Sequence, residues 1–81
     1  MPPCSLAQLP LGHSARITSL TAAAAPFRRK LLAMGIIPGQ EVTAVRLAPL
    51  GDPLEIRIRG FKLCLRLSEA ATIMVQPEAA S

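Results

Sequence analysis

The clearest pattern in the chain is a pair of strictly alternating runs in its second half. Leu54-Glu55-Ile56-Arg57-Ile58-Arg59 and Phe61-Lys62-Leu63-Cys64-Leu65-Arg66-Leu67 each alternate apolar with polar side chains, the period of a half-buried strand. Arg59-Gly60 between them makes a two-residue hairpin connection. That turn sets Ile58 opposite Phe61, Arg57 opposite Lys62, Ile56 opposite Leu63 and Glu55 opposite Cys64. Apolar meets apolar, so the register is self-consistent. Arg57, Arg59, Lys62, Cys64 and Arg66 then face outward, while Phe61 alternates with the core positions.

The first half reads differently. Ala15 to Leu20 alternates and predicts a strand. After the small-residue link Thr21 to Pro26, the residues Phe27, Leu31 and Met34 fall at i, i+4 and i+7, one face of a helix. Leu32 widens that face, Arg28, Arg29 and Lys30 flank it, and Pro26 suits the first helical position. Gly35 is placed to take the left-handed conformation just past the helix end, with Ile36 packing back on Leu31. Ile37-Pro38-Gly39-Gln40 then reads as a type II turn. A helix stops and a strand starts within five residues, Gly35 to Gly39.

The remaining elements are short. Ser5-Leu6-Ala7-Gln8 fits a capping box over one helical turn. Glu41 to Leu47 is a strand without clean alternation, and Ala48 to Pro53 is a loop. Ser68 to Ala71 reads as a turn opened by a Ser cap. Thr72 to Val75 is a last strand, and the chain is expected to fray from Pro77 onward. Five short strands avoid exposed edges best by curling. The expected fold is mainly β, a small five-stranded SH3-like barrel with one inserted α-helix and short helical turns. Residues 1–76 form a single domain and 77–81 a tail.

Composition narrows the function classes. The 81 residues suffice for one domain, and 51% of them are hydrophobic, so the chain is not a disordered one. The formal net charge of +4 points to an acidic partner without choosing among nucleic acid, membrane surface and protein. Cys4 and Cys64 imply no disulfide framework. The start MPPCSLAQLPLG lacks the features of a signal peptide, and no apolar run approaches the ~20 residues that span a bilayer. The expectation is a cytoplasmic protein with free thiols and no membrane insertion.

LPLGHSARI, RRKLLAMGIIPGQEV, APLGDPLEIRIRG and LRLSEAATIMV, in this order and spacing, resemble the FeoA family of ferrous iron transport proteins. The most specific parts are Leu32 to Val42 and Ala48 to Gly60. The resemblance implies an SH3-like barrel, a cytoplasmic location and partnership with FeoB, a membrane ferrous-iron transporter with a cytoplasmic G-protein domain. It places the chain peripherally at the inner membrane through that partner. A similar domain occurs in some metal-dependent repressors, but no DNA-binding helix-turn-helix precedes the barrel here.

The residues themselves offer little catalysis. His13 is the lone histidine, and neither a phosphate-binding G-x-x-x-x-G-K-[ST] loop nor a G-x-S-x-G elbow is present, so an enzyme is not expected. The outward stripe of Arg57, Arg59, Lys62 and Arg66 could track phosphates. The aromatics that binders of single strands place on the sheet are missing from it, and nucleic acid is the alternative reading. A metal-sensing module is another. His13, Glu55 and Cys64 are the candidate ligands for weakly held zinc or iron, but they lack the spacing of a closed site, and no cofactor is required. A homodimer could pool ligands from two chains. The favoured reading is a regulatory protein that docks on a FeoB-type transporter. Its candidate contacts are Arg28, Arg29, Leu32, Ile37 and Pro38 at the helix corner and Arg57, Arg59 and Lys62 on the hairpin, with Arg28 or Arg29 also able to act in trans on a bound nucleotide.

Overall fold

The computed structural model of the chain describes residues 2–78. Among them six strands form one antiparallel sheet: β1 (Cys4–Ser5), β2 (Ser14–Ser19), β3 (Glu41–Leu47), β4 (Leu54–Ile58), β5 (Phe61–Leu65) and β6 (Met74–Pro77). Their order in the sheet is β1-β6-β2-β3-β4-β5. Two short helices, α1 (Ala25–Ala33) and α2 (Leu67–Ala70), and a 3-10 turn at Leu6–Gln8 complete the fold. The mainly β architecture is as expected, but the strand count rises from five to six. The added strand β1 is two residues long, Cys4 opposite Val75 and Ser5 opposite Met74, too short to show any alternation.

The hairpin register holds at every position. Leu54, Glu55, Ile56, Arg57 and Ile58 lie opposite Leu65, Cys64, Leu63, Lys62 and Phe61. Arg59 and Gly60 both have positive φ, 54° and 80°, the backbone of a type I′ turn, whose twist matches that of the strands it joins. The missing alternation in β3 has a cause in its backbone. The pairing with β4 shifts between Ala44 and Arg46, so Val45 is the extra residue of a bulge and resets which side chains face inward.

The helix corner also forms as read. The Gly35 N–H donates to the Leu32 carbonyl and the Ile36 N–H to the Leu31 carbonyl, each at 3.0 Å, the two bonds of a Schellman cap. Gly35 sits at φ 93°, where an L side chain would be strained. Leu31 and Ile36 are both fully buried. The Gln40 N–H then closes the Pro38-Gly39 turn on the Ile37 carbonyl at 3.1 Å. Pro26 occupies the second helical position rather than the first, because the helix starts at Ala25 behind Ala24.

The second half carries two corrections. The β5 alternation stops at Leu65, and Leu67 opens α2 with Arg66 as its N-cap, so Ser68 does not cap this helix. Two carboxylates serve the free N–H groups instead: Glu69 Oε1 accepts from the Arg66 N–H at 2.9 Å and Asp52 Oδ1 from the Leu67 N–H at 3.0 Å. The last strand begins later than expected and runs further. Pro77 is buried opposite Ala15, and the Glu78 N–H donates to the Ser14 carbonyl. Ordered pairing therefore passes the expected boundary at Gln76. Of the expected tail 77–81, residues 79–81 lie outside the described residues.

One core fills the sheet's inner face. Ala15, Ile17, Val42, Ala44, Leu54, Ile56, Ile58, Leu65 and Val75 come from the strands, and Leu6, Leu20, Leu31, Ile36, Ala70 and Ile73 close over them. No buried side chain among the described residues is polar or charged. Burial of apolar area thus holds the fold together.

Candidate docking surface

The end of α1 and the tip of the β4–β5 hairpin form the two walls of a groove. Its cavity of about 400 Å³ is lined by Ala33, Met34 and Gly35 on one side and by Ile58, Arg59, Phe61, Lys62 and Leu63 on the other. That volume lies within the range of small-ligand pockets and admits an apolar side chain. Local chemistry fixes each wall. The Schellman cap holds Met34 and Gly35 where the helix ends. The I′ turn fixes Arg59 and Phe61.

Phe61 differs from expectation. It was read as facing the core, yet it is 71% exposed. Alternation gives it the core-facing side of β5, but it directly follows the turn, opposite Ile58, and the buried cluster ends at Ile58. Its ring extends past the core and into the groove wall. Its place beside the turn glycine was the available signal. Phe27, also read with the core, is half-buried and packs against it.

The charged candidates fall into two groups. Arg57, Arg59, Lys62 and Arg66 are all exposed, as the alternation required. Glu55 is the hairpin's acidic residue and is paired with Arg46 at 3.6 Å. Arg57 stands directly opposite Lys62, a like-charge juxtaposition that costs stability. The hairpin's outer side is therefore basic and unneutralised within the described residues.

The helix candidates sit elsewhere. Arg28 folds back, its Nη2 donating to the Ala23 carbonyl at 3.3 Å, while its buried Nε has no partner among the described residues. Arg29 is exposed. Lys30 lies 4.0 Å from Glu69 and thus links α1 to α2. Leu32 and Ile37 are each 40% exposed, and Pro38 is exposed. None of Arg28, Arg29, Leu32, Ile37 and Pro38 lines the cavity. The structure thus brings Arg59 and Lys62 together and adds Met34 and Phe61, which sequence reasoning did not place at a docking site.

The metal candidates do not form a closed site. Glu55 and Cys64 are cross-strand neighbours, and Cys64 is an exposed free thiol. His13 is exposed just before β2, its carbonyl accepting from the Ala44 N–H. Among the described residues no three His, Cys, Asp or Glu side chains gather where they could hold an ion. Two ligands, one already engaged by Arg46, do not fit a firmly bound metal.

The FeoA domain family model matches residues 4–77. The chain belongs to the FeoA family. A relative from Porphyromonas gingivalis, the Fe(2+) transport protein A/Fe(2+) transporter FeoB fusion protein, is 42% identical over 50 residues, 62% of this chain and 6% of that protein. The match thus spans a small part of that relative. The FeoA protein of Chlorobium tepidum, solved by NMR, superposes with a TM-score of 0.85 at 38% identity, over 95% of this chain and 72% of that one. The FeoA of Stenotrophomonas maltophilia, crystallised with zinc and described as a procaryotic SH3 domain protein, gives a TM-score of 0.77 at 33% identity over 89% and 88%. The fold is thus SH3-like, as the sequence led one to expect. No helix among the described residues is long and apolar enough to cross a membrane.

Proposed function

We propose that this FeoA chain is a non-enzymatic, cytoplasmic accessory protein of ferrous iron uptake, which docks on a FeoB-type transporter and modulates its activity or G-protein cycle. The observation that carries the reading is the relative in which a FeoA portion and a FeoB transporter share one polypeptide. Fusion holds two modules at high effective concentration. Contact between two such modules needs a surface, and the groove between α1 and the hairpin has a suitable form: an apolar floor, an exposed aromatic and a basic rim. Both walls are built on local hydrogen-bonded caps, so little ordering entropy is lost on contact.

In this reading the corner from Leu31 to Val42 acts mainly as a scaffold for one wall. Arg29 is freer than Arg28 to reach a nucleotide in trans, because the Arg28 guanidinium is tied to Ala23. Zinc or iron enters only as a weak ligand of Glu55 and Cys64, completed by groups from a second molecule.

The test is binding of the full chain to an intact FeoB-type transporter in nanodiscs, with and without a GTP analogue. The wild type binds, and the Arg59→Glu/Lys62→Glu double variant loses about tenfold or more in affinity, chiefly through slower association and a changed salt response. Failure of the wild type to bind the intact transporter in either nucleotide state overturns the reading.

A further inference from the structure

Strand β5 is the last in the sheet order, and its outer edge pairs with no strand among the described residues. Which backbone groups that edge presents follows from the hairpin. In a two-residue hairpin the residues flanking the turn exchange both of their hydrogen bonds, so Ile58 and Phe61 point theirs at each other. Alternation then turns the N–H and C=O groups of Phe61, Leu63 and Leu65 toward β4, and those of Lys62 and Cys64 toward the open edge. Beyond Leu65 the edge is closed, because the Arg66 N–H is bound by Glu69 and its carbonyl accepts from the Glu69 and Ala70 N–H groups.

The two faces of this edge differ chemically. On one lies the cavity, whose apolar lining is Met34, Ile58, Phe61 and Leu63, with Arg59 and Lys62 at its rim. Arg57 on the other face stands opposite Lys62 across the hairpin, neither with an ion pair among the described residues, while the nearby Glu55 is held by Arg46. Edges of this kind are usually blunted or covered. Here Lys62 is the one charged side chain on β5, and Phe61 and Cys64 stand exposed.

We infer that β5 accepts an extended acidic segment of the partner as an additional strand, its apolar residues entering the groove and its alternate carboxylates meeting Arg57 and Lys62. This rests on the docking reading above and specifies its mode, β-strand addition. The occupant is an extended peptide of alternating acidic and apolar residues. A second copy of this chain is disfavoured by its own basic hairpin. Single-stranded nucleic acid offers the carboxylates' charge but no backbone ladder to bond the Lys62 and Cys64 amides.

Amide hydrogen exchange of the full chain separates these cases, read with the intact FeoB-type transporter and with an acetylated, amidated heptapeptide alternating glutamate with valine. Strand addition protects the Lys62 and Cys64 amides on binding of either probe, while those of Phe61, Leu63 and Leu65 are protected beforehand. Cys64→Pro removes an outward-facing N–H, a substitution that edge strands tolerate, and weakens both probes about tenfold. Should that variant not fold, the same heptapeptide N-methylated at alternate backbone positions decides on wild-type protein, its loss of binding expected to be similar. Transporter binding with no new protection at Lys62 and Cys64 overturns strand addition and leaves docking standing. No binding of the transporter overturns both. Protection produced instead by an oligothymidylate, and not by the peptide, overturns the peptide occupant.

Discussion

Two regions of this chain turn sharply on a positive-φ glycine, and they put the turn to opposite uses. At the corner from Leu31 to Val42 the chain folds into the molecule. The Gly39 N–H donates to the Ile17 carbonyl at 2.7 Å, the Ile17 N–H to the Gln40 carbonyl at 2.9 Å, and Arg16 Nη1 to the Gly39 carbonyl. Leu31, Ile36 and Val42 are fully buried. At the hairpin tip the chain projects outward: Ile58 is buried, but Arg59, Gly60, Phe61 and Lys62 are exposed. Similar turn chemistry thus builds a scaffold in one place and a presented surface in the other. What distinguishes them is whether the backbone after the turn finds a hydrogen-bonded neighbour on both sides.

The largest effect expected from this contrast concerns stability. Ile36→Ala removes fully buried apolar volume and should cost about 2–5 kcal/mol in urea denaturation. Phe61→Ala, at 71% exposure, should cost less than about 0.5 kcal/mol. Comparable losses at the two sites would erase the distinction between scaffold and surface. Gly35→Ala comes next. A Cβ there meets nothing within 4 Å, so the cost arises from the φ of 93° alone and should be about 1 kcal/mol by thermal unfolding. Asp52→Ala tests the connection beyond the hairpin. It leaves the Leu67 N–H without its acceptor and should cost about 1 kcal/mol, with the loss localised by amide exchange to α2.

The smallest effect lies away from both regions. Glu78 pairs with Arg16 at 3.4 Å, and hydrogen bonding with the Glu41 carboxyl, with desolvation and the repulsion of Glu41, raises the Glu78 pKa despite the opposing pull of Arg16. The native state therefore holds the Glu78 proton more tightly than the unfolded chain does. The stabilisation this gives is full below the unfolded pKa and disappears as pH rises through the native one. A carboxyl-detected NMR titration should place the Glu78 midpoint above 4.5, and Glu41→Gln should lower it.

What the sequence made legible was local. Strict alternation with a two-residue turn specified the hairpin pairing residue by residue. A glycine followed by isoleucine specified the Schellman cap that ends α1. What stayed hidden was set from a distance or by depth. The cap of α2 comes from Asp52, fifteen residues before Leu67, so Ser68 was a reasonable but wrong candidate. β1 is too short to carry a period. Alternation told which face Phe61 occupies, not that the core ends before it. The groove joins residues 33–35 to residues 58–63, a juxtaposition that only tertiary packing creates. For that reason the docking candidates at Leu32, Ile37 and Pro38 were named ahead of Met34 and Phe61.

The most direct measurement is a chemical-shift titration of ¹⁵N-labelled protein with the cytoplasmic portion of a FeoB-type transporter at physiological salt. Docking in the groove predicts shifts concentrated at Met34, Gly35, Ile58, Arg59, Phe61, Lys62 and Leu63. Shifts confined to Leu32, Ile37 and Gly39, with the hairpin unmoved, would contradict it and return the contact surface to the corner.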